Sequence, residues 1–435
     1  MRIVLLTPGT GSYYCGVCMR DNALAKELIR QGHDAVMLPM YLPLVLDEDA
    51  ARGRGEVFYG GINVYLQQKL AFFRHAPRWV DDLLNHPLLL RLAGRFGGMT
   101  GGALVGELTH SMLLGEEGRQ ARELQKLTEW MREHGRPDAV WLSTALLAGL
   151  AKPLKEALGV PVLCSLQGED EFLDHLAPPW RERCWETLAV RSAAVDLFVA
   201  PSRYFGELMG RRLRLAEGQV AVVPNAIALR DFEGPEPSGP AVPTIGYLAR
   251  MIADKGLGIL VDAFILLKKR GRFPKARLRC AGAMTAGDEV YVAELQARLA
   301  AAGVADEVDF LPNISREEKV AFLRSLNVFS VPATYSEAFG LYLLEALAAG
   351  VPVVQPRHAA FPEVVEATGG GVLCDVGSAE SLADGIEKML GDPVAARAMG
   401  RAGRDAVFAR YGMGNLAGAF LGLTSERIDA GAVRD

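Results

Sequence analysis

Two carboxylates stand eight residues apart in YSEAFGLYLLEALAAGVPVV, Glu337 and Glu345, inside an otherwise apolar run. A buried carboxylate is costly unless something satisfies it. VFSVP, just upstream, reads as a strand, ATYSEAFG as the loop after it, and LYLLEALAAG as a helix closed by Gly350. In open α/β sheets ligands bind beyond the carboxyl ends of strands, and a helix N-terminus with free N–H groups favours phosphate. Phe339, Gly340 and Leu341 would supply those N–H groups, and Gly340 would let the backbone approach an anion closely. Glu337 and Glu345 would then flank the ligand and accept hydrogen bonds from hydroxyls, which sugars provide. The same spacing also suits a plainer arrangement, with Glu345 an exposed helix residue and Glu337 a partner of the helix dipole. Arg250 and Lys255 stand five apart after another strand and just before a helix. Two cations there can grip a diphosphate without a metal, or form an ordinary solvated pair.

The elements that must position these residues alternate. RIVLL, AVML, AVWLS, VPVLCSL, LFVAPS and VAVVPN are strand-like runs separated by amphipathic helical segments, and the alternation restarts at TIGYLA and runs through ARLRCAG, VDFLP, VFSVP, PVVQP and GVLCD. That pattern predicts two α/β units with parallel sheets. Between them LRDFEGPEPSGPAVP, residues 229–243, holds four prolines in fifteen residues and reads as a linker between domains facing a cleft. The expected division is an N-terminal domain over 1–228 with a helical insertion at about 41–130, the linker, a C-terminal domain over 244–410, and a final helix over 411–435 that crosses back to the first domain.

Half of the 435 residues are hydrophobic and 23% are charged, the profile of a packed soluble protein. A net charge of −5 argues against a nucleic-acid partner and leaves anionic ligands to local sites. The opening MRIVLLTPGTG reads as a first strand rather than a signal peptide, and no run of eighteen apolar residues is present. The six cysteines, 15, 18, 164, 184, 280 and 374, are scattered, three of them in strand-like contexts. The expected location is cytoplasmic, with room for peripheral contact with the inner face of a membrane.

SEAFGLYLLEALAAGVPVVQ resembles the E-x7-E motif of the family-4 glycosyltransferases of GT-B fold, and the likeness continues through FPEVV and GGVLCDVGSAESLADGI. VVPNAI is similar to that family's V-P-N-G-I-D run, with Ala226 and Ala228 in place of glycine and aspartate. GYLARMIADKGLGILVDAF resembles its G-R-L-x-x-x-K-G segment with Arg250 and Lys255 in the matching places, and RQGHDAVML resembles its first-helix ending. The resemblance covers residues 1 to about 40 and 135 to 410. It implies two Rossmann-like parallel-sheet domains facing a central cleft. It also implies transfer of a glycosyl group, with retention, from a nucleotide-diphosphate sugar held by the C-terminal domain to a glycan, lipid or small-molecule acceptor on the N-terminal one. No cofactor and no essential metal are expected. By family position Glu345 would bind the ribose hydroxyls, Glu337 would contact the donor sugar, and Arg250 and Lys255 would meet the charge that builds on the diphosphate.

The chain departs from the family at Gln167-Gly168, where relatives commonly carry a histidine near the reacting sugar. Glutamine hydrogen-bonds but is no acid or base near neutrality, so either Gln167 only positions the donor or Glu169, Asp170 or Glu171 supplies charge. In TPGTGSYYCGVCMRDN, Gly9 and Gly11 suggest a dinucleotide fingerprint whose last glycine is missing, since residue 14 is a tyrosine. Gly11 and Gly16 suit an acceptor-side loop instead. Cys15 and Cys18 make one C-x-x-C without a second ligand pair, better read as reduced thiols than as a zinc site. A sugar-nucleotide epimerase of the same fold, a nicotinamide-dependent oxidoreductase and an inactive sugar-binding relative are the alternatives.

Overall fold

The computed structural model describes residues 1–8, 16–40, 51, 102–234 and 239–432. Gly11, Cys15 and most of the expected insertion at 41–130 lie outside them. The chain divides into two compact units, residues 1–224 with 416–435, and residues 225–415.

The first unit is built on a six-stranded parallel sheet: β1 (Arg2–Thr7), β2 (Asp34–Pro39), β3 (Ala139–Leu142), β4 (Val162–Ser165), β5 (Leu197–Ala200) and β6 (Val220–Val222), in the order β2-β1-β3-β4-β5-β6. β3, β4 and β5 are buried along their whole length, as strands covered by helices on both faces must be. The C-terminal helix Met413–Ala432 packs here. Leu416, Ala417, Phe420 and Thr424 fall on one face of it and are all buried. Trp141 of β3 stacks on Phe420 at 3.9 Å and donates its indole N–H to Thr424 Oγ1 at 3.0 Å.

The second unit carries β7 (Thr244–Leu248), β8 (Arg277–Gly282), β9 (Val308–Pro312), β10 (Val328–Phe329), β11 (Val353–Pro356) and β12 (Gly371–Cys374). All pairs are parallel, and read across the sheet the order is β9-β8-β7-β10-β11-β12. This is the doubly wound Rossmann order, whose direction reverses between β7 and β10. The loops that follow those two strands, 249–256 and 330–340, therefore flank the topological switch point.

The segment expected as a linker belongs to the second unit, so the division falls at Pro224/Asn225 and Asn415/Leu416. Leu229–Phe232 forms a 3-10 turn, and the Phe232 ring is buried in the core of this unit. Arg404 donates to the carbonyls of Phe232 (2.8 Å) and Gly234 (3.0 Å), and Arg316 pairs with Asp231 at 2.6 Å. Proline and glycine content signals restricted φ and turns; one buried aromatic and two anchoring arginines decide where the segment docks.

Candidate active site

The loop after β7 threads between the loops after β8 and β10, and two glycines make that possible. A Cβ on Gly256 (φ +73°) would lie 2.0 Å from the Pro332 carbonyl oxygen, and one on Gly282 (φ +139°) 1.8 Å from that of Ala249. Thr334 N–H donates to the Asp254 carbonyl at 3.1 Å, tying the two switch-point loops together. Gly340, in the left-handed region at φ +84°, turns the chain into the helix Leu341–Ala348, whose first amides have no intrahelical acceptor. The helix ends in a Schellman arrangement, with Gly350 (φ +78°) donating to Leu347 O and Val351 to Ala346 O. Phe339 is buried and its ring meets that of Tyr411 at 6.3 Å. The strand–loop–helix framing of this stretch and the glycine stop are thus as the sequence indicates.

Each charged residue singled out here has a partner of opposite sign. Lys255 Nζ donates to Glu337 Oε2 at 2.8 Å and bonds the Tyr335 hydroxyl, while lying 4.6 Å from the centre of the Tyr335 ring. Glu337 Oε2 also accepts from Tyr335 (2.6 Å) and Tyr342 (2.7 Å). Burial pushes this carboxyl up, but the Lys255 charge and the three hydrogen bonds outweigh it and hold Glu337 below its ordinary range. Burial, reinforced by the Glu337 charge, drives the Tyr342 phenol well up, so it stays a donor. Arg250 forms a two-point pair with Asp288, Nε to Oδ2 at 3.2 Å and Nη2 to Oδ1 at 3.1 Å. Glu345 Oε1 accepts from Lys319 at 2.6 Å. It is neither fully exposed nor isolated.

Tyr335, Tyr342, Asp288 and Lys319 are the residues that sequence reasoning missed. The two tyrosines had a local signal, lying two residues before and five after Glu337. Asp288 and Lys319 had none, because they come from the loop after β8 and from the helix Arg316–Arg324.

Gln167 and Gly16 lie in the first unit. Gly16 opens the helix Gly16–Arg30. Gln167 follows β4, and its backbone N–H donates to Glu169 Oε2 at 2.8 Å. Glu169 is buried and fully engaged, accepting also from Gly168 N–H, Thr144 Oγ1 and Ala145 N–H. Its role is to fix this turn, which removes it as a mobile source of charge. Asp170 is buried too, its Oδ1 is without a partner among the described residues, and burial raises its pKa to about 6. Cys18 is buried against the Thr7 hydroxyl at 3.5 Å; its sequence neighbour in the C-x-x-C, Cys15, lies outside the described residues.

Two Rossmann-like sheets, one with its charged loops at the switch point, define the GT-B class of architecture. The comparisons agree. The family model "Glycosyl transferases group 1" matches residues 233–406, and "Glycosyltransferase Family 4" matches 106–231. Each family model matches one part of the chain, and the fold is that of the GT-B glycosyltransferases. A GDP-mannose-dependent alpha-(1-6)-phosphatidylinositol monomannoside mannosyltransferase of Mycobacterium tuberculosis is 33% identical over 183 residues, 40% of this chain and 45% of that protein. The chain thus matches less than half the length of that relative. A D-inositol 3-phosphate glycosyltransferase of Pseudarthrobacter chlorophenolicus is 28% identical over 379 residues, 79% of this chain and 85% of its own. Among solved structures, sucrose-phosphate synthase of Thermosynechococcus elongatus superposes with a TM-score of 0.72 at 18% identity, covering 99% of both chains. Anabaena HepE in complex with UDP gives 0.67 at 16%, covering 98% of this chain and all of the other. Among the described residues no helix is long and apolar enough to cross a membrane.

Proposed function

We propose that this chain transfers a glycosyl group from a nucleotide-diphosphate sugar to a glycan, lipid or small-molecule acceptor, with retention at the anomeric carbon and without an essential metal. The observation that carries this reading is the makeup of the switch point in residues 225–415, where Arg250, Lys255, Glu337 and the N-terminus of Leu341–Ala348 stand on the loops after β7 and β10. As the bond from C1 to the β-phosphate oxygen breaks, the electron pair stays on the phosphate, the acceptor hydroxyl oxygen bonds C1 on the same face, and its proton passes to the leaving phosphate oxygen. Arg250, Lys255 and the helix amides offset the charge gained by the leaving group. Glu337, held ionised, stabilises positive charge at the sugar, and Glu345 takes the ribose hydroxyls. By the same reading Gln167 contributes a hydrogen bond to the donor sugar, and Gly16 belongs to the acceptor side. The activities of the relatives, GDP-mannose-dependent mannosyl transfer and D-inositol 3-phosphate glycosyl transfer, favour a nucleotide-diphosphate donor over the epimerase and oxidoreductase alternatives.

The test is thermal stabilisation by UDP, GDP, ADP and NAD in parallel. One nucleoside diphosphate at a hundred times its dissociation constant should add about 2.7 kcal/mol. Stabilisation by NAD and by none of the diphosphates would overturn the proposal.

A further inference from the structure

We infer that Asp288 is a positioning residue for donor binding, holding the Arg250 guanidinium in the orientation in which its remaining N–H groups meet the diphosphate. The inference rests on the donor reading above and extends it to a residue outside the motif stretches.

Arg250 carries a long side chain that is 51% exposed, whereas the Asp288 side chain is only 7% exposed. A half-exposed arginine samples many rotamers, and ordering it on ligand binding is costly. Here the carboxylate grips Nε and Nη2 in the two-point geometry that fixes a guanidinium plane. That leaves Nη1 and the outer N–H of Nη2 pointing away from the pair, and no described residue bonds Nη1. The backbone beneath is pinned as well. Tyr247 Oη donates to the Arg250 carbonyl at 2.9 Å, and Met251 N–H to Ala283 O at 2.9 Å.

Asp288 in turn is held by its own turn. Oδ2 accepts from Thr285 N–H at 2.8 Å and Thr285 Oγ1 at 2.7 Å, and Asp288 N–H donates to Thr285 O at 2.9 Å. The order of support runs from turn to carboxylate to guanidinium. The turn is itself fixed by Asn313, in the left-handed region at φ +56°, whose amide side chain bonds both Met284 N–H (3.0 Å) and Met284 O (2.9 Å). A carboxylate with only a structural role would stabilise that turn equally well without the arginine.

The experiment is calorimetric titration of whichever nucleoside diphosphate stabilises the wild type, together with its monophosphate, into wild type, Asp288→Asn, Arg250→Ala and the double variant. Asp288→Asn should weaken diphosphate binding about fivefold to tenfold, the scale of one immobilised side chain, and leave monophosphate binding unchanged. In the Arg250→Ala background it should add nothing. Unchanged diphosphate affinity in Asp288→Asn, an equal loss for the monophosphate, or a full additional loss in the double variant would each overturn the inference. If Arg250→Ala itself leaves diphosphate affinity intact, the donor reading of this loop fails instead. Should Asp288→Asn not fold, Thr285→Val, which removes one bond to Oδ2, is judged by the same diphosphate-against-monophosphate comparison.

Discussion

Lys255→Met tests the centre of the candidate site through stability rather than activity. Glu337 Oε2 receives three donors, at 2.6, 2.7 and 2.8 Å, of which only Lys255 is charged. The side chains of the pair are 20% and 12% exposed. Exposed ion pairs are worth about 0–1 kcal/mol, and removing one partner of a fully buried pair costs about 3–5 kcal/mol. With two phenols still in place, an intermediate loss of about 2 kcal/mol is expected. For a unit of this size that corresponds to roughly 4–8 °C in Tm.

The pH dependence carries a sign. In the wild type the Glu337 carboxyl lies below its ordinary 4.5. Its contribution is therefore complete above about 4.5 and lost as pH falls through the lower, folded-state value. Without Lys255, burial is opposed only by the two phenol hydrogen bonds and the carboxyl moves upward, so its ionised form is less favourable at pH 8 and is relieved by protonation as pH falls. The penalty of Lys255→Met should be largest at pH 8 and shrink toward pH 5. Urea melts at both values measure it. All five tryptophans, at 79, 130, 141, 180 and 185, precede residue 225, so a circular-dichroism transition absent from tryptophan emission reports the second unit. A pH-independent penalty, or one below about 0.5 kcal/mol, would refute the reasoning.

Arg250→Ala should lower turnover about a hundredfold or more, the scale of losing one donor to developing charge, and wild-type turnover should survive EDTA; steady-state assays with and without chelator check both. Glu345→Gln should raise the donor KM while Glu337→Gln chiefly lowers kcat, and equal effects on donor affinity alone would remove that division of roles. Thr424→Val deprives the buried Trp141 indole of its acceptor and should cost about 1–3 kcal/mol, read as an earlier loss of tryptophan emission in urea.

Both parallel sheets were legible in the sequence, because strands buried on both faces leave continuous aliphatic runs such as RIVLLT and TIGYL, and the helices between them leave amphipathic ones. The strand–loop–helix frame around Glu337 and the stop at Gly350 were legible for the same local reason. The boundary at Pro224/Asn225 was not, since it depends on where Phe232 is buried and on Arg404, 172 residues away. Glu169 read as one of three acids that could supply charge beside Gln167, and its structural engagement was hidden for a related reason. Its four bonds come partly from Thr144 and Ala145, on another strand's loop.

The charged residues of the switch point illustrate the limit most directly. Arg250 and Asp288 are 38 residues apart, Lys255 and Glu337 82, Lys319 and Glu345 26. No window short enough for periodicity or motif reading spans any of these pairs, yet the first two follow from the topology. In the order β9-β8-β7-β10-β11-β12, the loop after β7 has the loops after β8 and β10 as its neighbours, so Arg250 finds its acid on one side and Lys255 finds its acid on the other. A motif names residues that meet a ligand, but the partners that hold Arg250 and Lys255 come from the loops of adjacent strands. The sequence separation of those partners is set by the right-handed crossover connections of the parallel sheet. Candidate positioning residues in such a sheet are therefore best sought at the carboxyl ends of the two neighbouring strands, the criterion that picks out Asp288 and that local sequence could not supply.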